Sequence, residues 1–136
     1  MKQWTNHLDV STSDWLIGAG ILNPTYGKAL RSMAEPGTAW QGDDQPSTYD
    51  HYVPGGDVHT NSGIPNHAFF LAAMKIGGYS WEKTGRIWYQ SLSMLQTNLS
   101  FHEAVHATVA AAGLLFGSGS IEQNCVQEAW KEVKVL

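Results

Sequence analysis

Cysteine is nearly missing from this 136-residue chain: Cys125 stands alone, which excludes an internal disulfide framework and any cysteine-rich zinc site. It leaves the compartment open. Charge is scarce as well, 8 basic residues against 12 acidic ones for a net −4, so there is no basic stripe to track a phosphate backbone. Nucleic acid is excluded as an expected partner. Long apolar runs are absent too. The longest, Ala104 to Phe116, is too short to span a bilayer and is interrupted by His106 and Thr108, which sets membrane insertion aside. Met1-Lys2-Gln3-Trp4-Thr5-Asn6-His7 has no apolar stretch ahead of a small-residue cleavage site, so no signal peptide is expected in the chain. What remains is a 43% hydrophobic composition, enough for one packed core and a single domain.

Composition divides the sequence near residue 60. Residues 1–60 are loop-rich, with turn signals at Asn23-Pro24, Glu35-Pro36-Gly37, Gln45-Pro46-Ser47 and Pro54-Gly55-Gly56-Asp57, spaced too closely for long elements. Two short helices are expected between them, around Ser13 to Ile17 and Gly27 to Met33. Residues 61–136 read as about four packed helices. Ser62 is the expected cap of the first, with Pro65 in its first turn, and Ala68 to Met74 is apolar on nearly every side until Gly77-Gly78. A helix without a polar face belongs at the centre. Ser80 is the expected cap of the second, which places Trp81, Trp88, Leu92 and Leu95 on one face, with Gly85 allowing close approach. Ser100-Phe101-His102-Glu103 spells a capping box for a third helix ending at Gly117. The fourth runs from about Ile121 to Val133 with Ile121, Cys125, Ala129, Trp130 and Val133 inward. No strand pattern of similar strength competes, so the fold class is mainly α.

Two groups carry candidate chemistry. His102-Glu103-Ala104-Val105-His106 matches H-E-x-x-H, in which two imidazoles one turn apart hold zinc and the glutamate acts as base. No third ligand stands out among the downstream acids Glu122, Glu128 and Glu132, and Glu103 already has a part in the capping box. The pentapeptide therefore reads first as a helix start and second as a metal site. His59, in Val58-His59-Thr60-Asn61-Ser62-Gly63-Ile64-Pro65-Asn66, precedes a helix. By residue type alone it is a satisfied loop residue or a group suited to proton or oxyanion work.

That stretch, together with Ala29-Leu30-Arg31-Ser32-Met33, Asp14-Trp15-Leu16-Ile17-Gly18, Gly77-Gly78-Tyr79 and Ala129-Trp130-Lys131-Glu132-Val133, resembles the C-terminal lobe of thermolysin-like neutral metalloproteases in order and spacing. The resemblance runs through nearly the whole chain. It implies a helical lobe facing an N-terminal lobe across a cleft, with zinc and its ligands upstream of the region matched. Zinc would then belong to the complete enzyme and not to this lobe, and the His102–His106 pentapeptide would fall in a helix that carries no metal.

On this resemblance His59 donates to the oxyanion formed on the peptide carbonyl, Arg31 binds the substrate carbonyl on the leaving-group side, and Leu30 lines an apolar specificity pocket. The family commonly has an aspartate five residues before this histidine; Pro54 stands there, and Asp57 is the acid at hand to orient the ring. Lys28 occupies a position where calcium-binding relatives place an acid, so no calcium is expected at that loop. Expected partners are a peptide or protein substrate and the zinc-bearing lobe, on the same or another chain, in an extracellular setting. Two alternatives compete: a stand-alone, non-catalytic module that binds a peptide or partner, and a small zinc enzyme built on His102, Glu103 and His106.

Overall fold

The helix signals of the second half become four helices around one core in a computed structural model that describes residues 2–95, 97 and 100–136. In chain order the elements are α1 (Lys2–Thr5), β1 (Leu16–Ile17), β2 (Arg31–Ser32), a 3-10 turn (Tyr49–His51), α2 (Val58–Asn61), α3 (Gly63–Ile76), α4 (Thr84–Leu92), α5 (Phe101–Phe116) and α6 (Ile121–Glu132). The class is mainly α, as expected.

α3 is central because it is covered on two sides. Ile64, Ala68 and Ala72 are fully buried against Ile87, Val105, Ala111, Ala112, Val126, Ala129, Trp130 and Val133 of the neighbouring segments. Alanines at the contacts let the helix axes approach closely, and Trp130 fills the space they leave. Ala73, on another side of α3, joins Val10 and Trp15 in a second cluster, with Phe69, Phe70 and Met33 packed on it. That second cluster holds the loop-rich half onto the helices. Only the end of the apolar run emerges, with Met74 exposed.

The capping box forms as expected. Ser100 Oγ accepts Glu103 N–H at 3.3 Å while Glu103 Oε2 accepts Ser100 N–H at 2.7 Å, and α5 ends at Gly117. Ser120 caps α6 by accepting Gln123 N–H at 3.2 Å.

Several local expectations are corrected. The segments expected as short helices, Ser13 to Ile17 and Gly27 to Met33, contribute the paired strands β1 and β2, with Leu16 opposite Ser32 and Ile17 opposite Arg31. A left-handed backbone at Trp15 (φ 54°) stops any helix there, and the Leu30 and Met33 amides donate across the pair, to Ile17 O and Trp15 O. Ser80 does not cap α4, because its hydroxyl bonds Gln3; the helix begins at Thr84 after Lys83. Leu92, expected on the inward face, is exposed, and the buried apolar residue of α4 is Ile87. In α6, Ile121 is exposed and Cys125 only half-buried, the inward position being Val126. Ser62 stands at the start of α3 without a side-chain capping bond, since its hydroxyl is used elsewhere.

Candidate functional site

The β1–β2 pair presents Leu30 and Arg31. Trp15, ahead of β1, is buried, donates its indole N–H to Val10 O at 2.9 Å and meets Phe69 and Phe70 edge-on, which fixes the pair against α3. Gly18, with φ +71°, follows β1, and a Cβ there would lie 2.8 Å from Leu30 Cδ1. Only glycine lets the Leu30 side chain lie against that turn. Leu30, Ile17 and Ile21 are all exposed, and Leu30 and Ile21 lie together against Gly18. Beside them a cavity of about 450 Å³ is lined by Trp4, Trp15, Ile17, Met33, Phe69 and Trp81, among others.

His59 lies in the short helix α2. Asp57 is the N-cap of that helix: its Oδ1 accepts the His59 backbone N–H at 2.8 Å. In this structure that oxygen of Asp57 serves the backbone of α2 as a cap. The ring itself is exposed and has no hydrogen bond to the described residues. The loop leading into α2 is closed by Asn61, whose buried side-chain amide accepts Val53 N–H at 3.2 Å and donates to Val53 O at 2.9 Å.

Arg31 and His59, far apart in sequence, are joined through Ser62. Arg31 Nη1 donates to Ser62 Oγ at 2.9 Å, and that hydroxyl donates to the His59 carbonyl at 2.8 Å. Gln45 adds a second brace, donating from Nε2 to His59 O at 2.7 Å and to Ser62 Oγ at 3.2 Å. Asp44 Oδ1 accepts from Thr60 Oγ1 at 3.1 Å on the neighbouring residue. The sequence reading singled out neither Gln45, Asn61 nor Ser62 as a part of the site. Gln45-Pro46 looked like a turn, and the only available signal was the amide-and-hydroxyl pair Asn61-Ser62 directly after the histidine.

The pentapeptide on α5 is arranged differently. His102 and His106 are exposed, His102 lies edge-on to Tyr49 at 6.1 Å, and the Glu103 carboxyl is held below its usual range by the Ser100 backbone and hydroxyl. Among the described residues no three of His, Cys, Asp and Glu stand together to hold a metal ion. Lys28 lies 3.8 Å from Glu35 Oε2 in the loop before β2.

A family model described as "Thermolysin metallopeptidase, alpha-helical domain" matches residues 1–135. The chain is 43% identical over 149 residues to an extracellular metalloprotease of Pectobacterium carotovorum subsp. carotovorum, covering 99% of this chain and 42% of that protein. It is 37% identical over 131 residues to a thermolysin of Alicyclobacillus acidocaldarius subsp. acidocaldarius, covering 90% of this chain and 24% of the relative. The solved structure of the precursor of protealysin, a metalloproteinase from Serratia proteamaculans, matches with a TM-score of 0.92 and 41% identity over 99% of this chain and 45% of that one. The chain thus spans less than half the length of these relatives. With its helical core and its Arg31–Ser62–His59 connection alike placed in a region matched end to end, the chain belongs to the thermolysin metallopeptidase family, as its α-helical C-terminal domain.

Proposed function

We propose that this domain forms one wall of the active-site cleft of a zinc metalloendopeptidase, opposite a lobe that carries the metal. Zinc, the base and the attacking water belong to that lobe; the residues of this domain bind and orient the peptide. His59 donates from its exposed ring to the carbonyl oxygen as negative charge develops there, a contribution that grows toward the transition state. Arg31 holds a substrate carbonyl on the leaving-group side, and Leu30, with Ile17 and Ile21 beside it, offers an apolar surface to a substrate side chain. Calcium has no part at the Lys28 loop, where a lysine paired with Glu35 already supplies a cation. An extracellular setting follows the naming of the Pectobacterium relative.

The observation that carries this reading is the hydrogen-bonded path from Arg31 through Ser62 to the His59 carbonyl, which ties the Arg31 guanidinium to the backbone that bears His59, beside exposed apolar residues. The test is His59→Phe in a polypeptide where a zinc-bearing family lobe precedes this domain. Turnover should fall roughly 10²–10³-fold, the size of losing an oxyanion donor, with a much smaller change in KM. Equal kcat with a raised KM would show that His59 only binds substrate.

A further inference from the structure

Gln45 belongs to a loop between β2 and the 3-10 turn, yet it is only 7% exposed. Its Nε2 lies 2.7 Å from the His59 carbonyl and 3.2 Å from Ser62 Oγ. A carbonyl oxygen can only accept, so the amide must turn its NH₂ toward α2. The Ser62 hydroxyl is then fully used. Its proton goes to His59 O, and its lone pairs receive Gln45 and Arg31. The glycine that follows makes room for this: a Cβ on Gly63 would lie 2.5 Å from Pro46 O and 2.9 Å from Gln45 Cβ. A larger residue would push the loop away from the start of α3.

The other half of the amide is not satisfied. Gln45 Oε1 is buried with no hydrogen-bond partner among the described residues, an arrangement that costs stability. Both donors serve the His59–Ser62 turn while the acceptor serves nothing, which is the pattern of a residue retained for what it positions.

We infer that Gln45 is a positioning residue that locks the His59-bearing turn and, through Ser62, the Arg31 guanidinium into one relation. The inference rests on the reading that Arg31 and His59 meet substrate. Its geometry can be tested without that reading. In Gln45→Met the side chain keeps its length, loses both donors and also loses the unpaired oxygen, so global stability should change little. NMR of the chain should show the Arg31 guanidinium resonances shifted and exchange-broadened, with amide exchange at residues 60–63 at least tenfold faster and that of the α5 interior unchanged. Wild-type Arg31 resonances and wild-type protection at 60–63 would overturn the inference.

Gln45→Glu gives a second variant should Met disturb the loop. Its carboxylate would face the His59 carbonyl, whereas its protonated form can donate again. The Arg31 signature should be lost at neutral pH and return on acidification, with wild type as the control for titration of the nearby Asp43, Asp44 and His59. A signature that stays lost at every pH, or is never lost, would overturn the inference. In a polypeptide that includes the zinc-bearing lobe, Gln45→Met should lower kcat/KM about tenfold to hundredfold, since misplacement of a positioned group by about 1 Å costs as much. Where His59→Phe does lower turnover, wild-type kcat/KM for Gln45→Met despite altered Arg31 resonances would likewise overturn it. The failure of His59→Phe to affect turnover would sink the functional reading and leave the NMR result standing.

Discussion

The indole N–H of Trp130 donates to the Thr108 hydroxyl across 2.8 Å, joining α6 to α5 inside the core. Both residues are buried, and Thr108 passes its own proton to Ala104 O at 2.8 Å, so the tryptophan has an acceptor that does not compete for the same hydrogen. Thr108→Val keeps the shape and removes that acceptor, leaving a buried N–H unpaired. Stability should fall by about 1–3 kcal/mol, and Thr108→Ser should lose less. Chemical denaturation measures both; an unchanged midpoint for the valine variant would contradict the role given to the bond.

A second tie closes the C-terminal end onto the first half. Lys134 Nζ meets Asp50 Oδ2 at 2.5 Å, and Tyr49 N–H donates to Val133 O at 2.8 Å. The lysine hydrogen bond, then that of Thr48, pushes the Asp50 carboxyl down from 3.8 to about 2. A depressed acid contributes stability that is fully present above its unfolded value and is lost as pH falls through the folded one. The loss should therefore fall between about pH 4 and pH 2, and Asp50→Asn should flatten that part of the melting-temperature profile. Parallel profiles for the two proteins would remove the argument. Because the pair is exposed and screened the whole effect should be small, with Asp50→Asn slightly less stable than wild type near neutrality and the two converging as pH falls to about 2.

The start of α5 and the central helix were legible because their signals are local, whereas the caps expected of Ser62 and Ser80 do not form because both hydroxyls bond elsewhere. Ser100 and Glu103 satisfy free amides within one turn, and an all-apolar run such as Ala68 to Met74 needs neighbours whatever surrounds it. The strands were not legible. Two residues each are too few for a period-2 pattern, and what makes β1 and β2 is the partner supplied from 14 and 16 residues away in sequence, Arg31 for Ile17 and Ser32 for Leu16, together with the left-handed backbone at Trp15. The site divided in the same way. Arg31, His59 and Leu30 could be named from motifs, whereas Gln45 acquires its meaning only when the fold lays it under Ser62. The cap formed by Asp57 is another feature the motif does not reveal, because an acid two residues before a histidine can meet either its ring or its backbone amide.

The H-E-x-x-H match gives a prediction about metal. His102 and His106 sit in the exposed first turns of α5 with Glu103 tied to Ser100, and no third ligand gathers there among the described residues. Zinc needs three or four protein ligands for tight binding. Purified protein should carry zinc well below one equivalent after dialysis. A stoichiometry near one that disappears with His106→Ala would establish a metal site on α5.

Arg31 leads to the last prediction. One arm of its guanidinium fork is committed to Ser62 Oγ at 2.9 Å, and in the proposed function the other arm meets a substrate carbonyl in a direction set by the first. Lysine keeps the charge but has a single ammonium, so it can serve Ser62 or substrate and cannot hold both in that geometry. On the function proposed for this domain, that carbonyl is on the leaving-group side and carries no developing charge, so its hydrogen bond would be made equally in the ground state and the transition state. Arg31→Lys, in a polypeptide with the zinc-bearing lobe, should thus raise KM by roughly tenfold or more, consistent with losing a charge-assisted hydrogen bond, and should change kcat much less. His59→Phe should show the opposite pattern, and steady-state kinetics on both variants separates them. An unchanged KM for Arg31→Lys would mean that the arginine only braces Ser62, and its place in substrate binding would be lost.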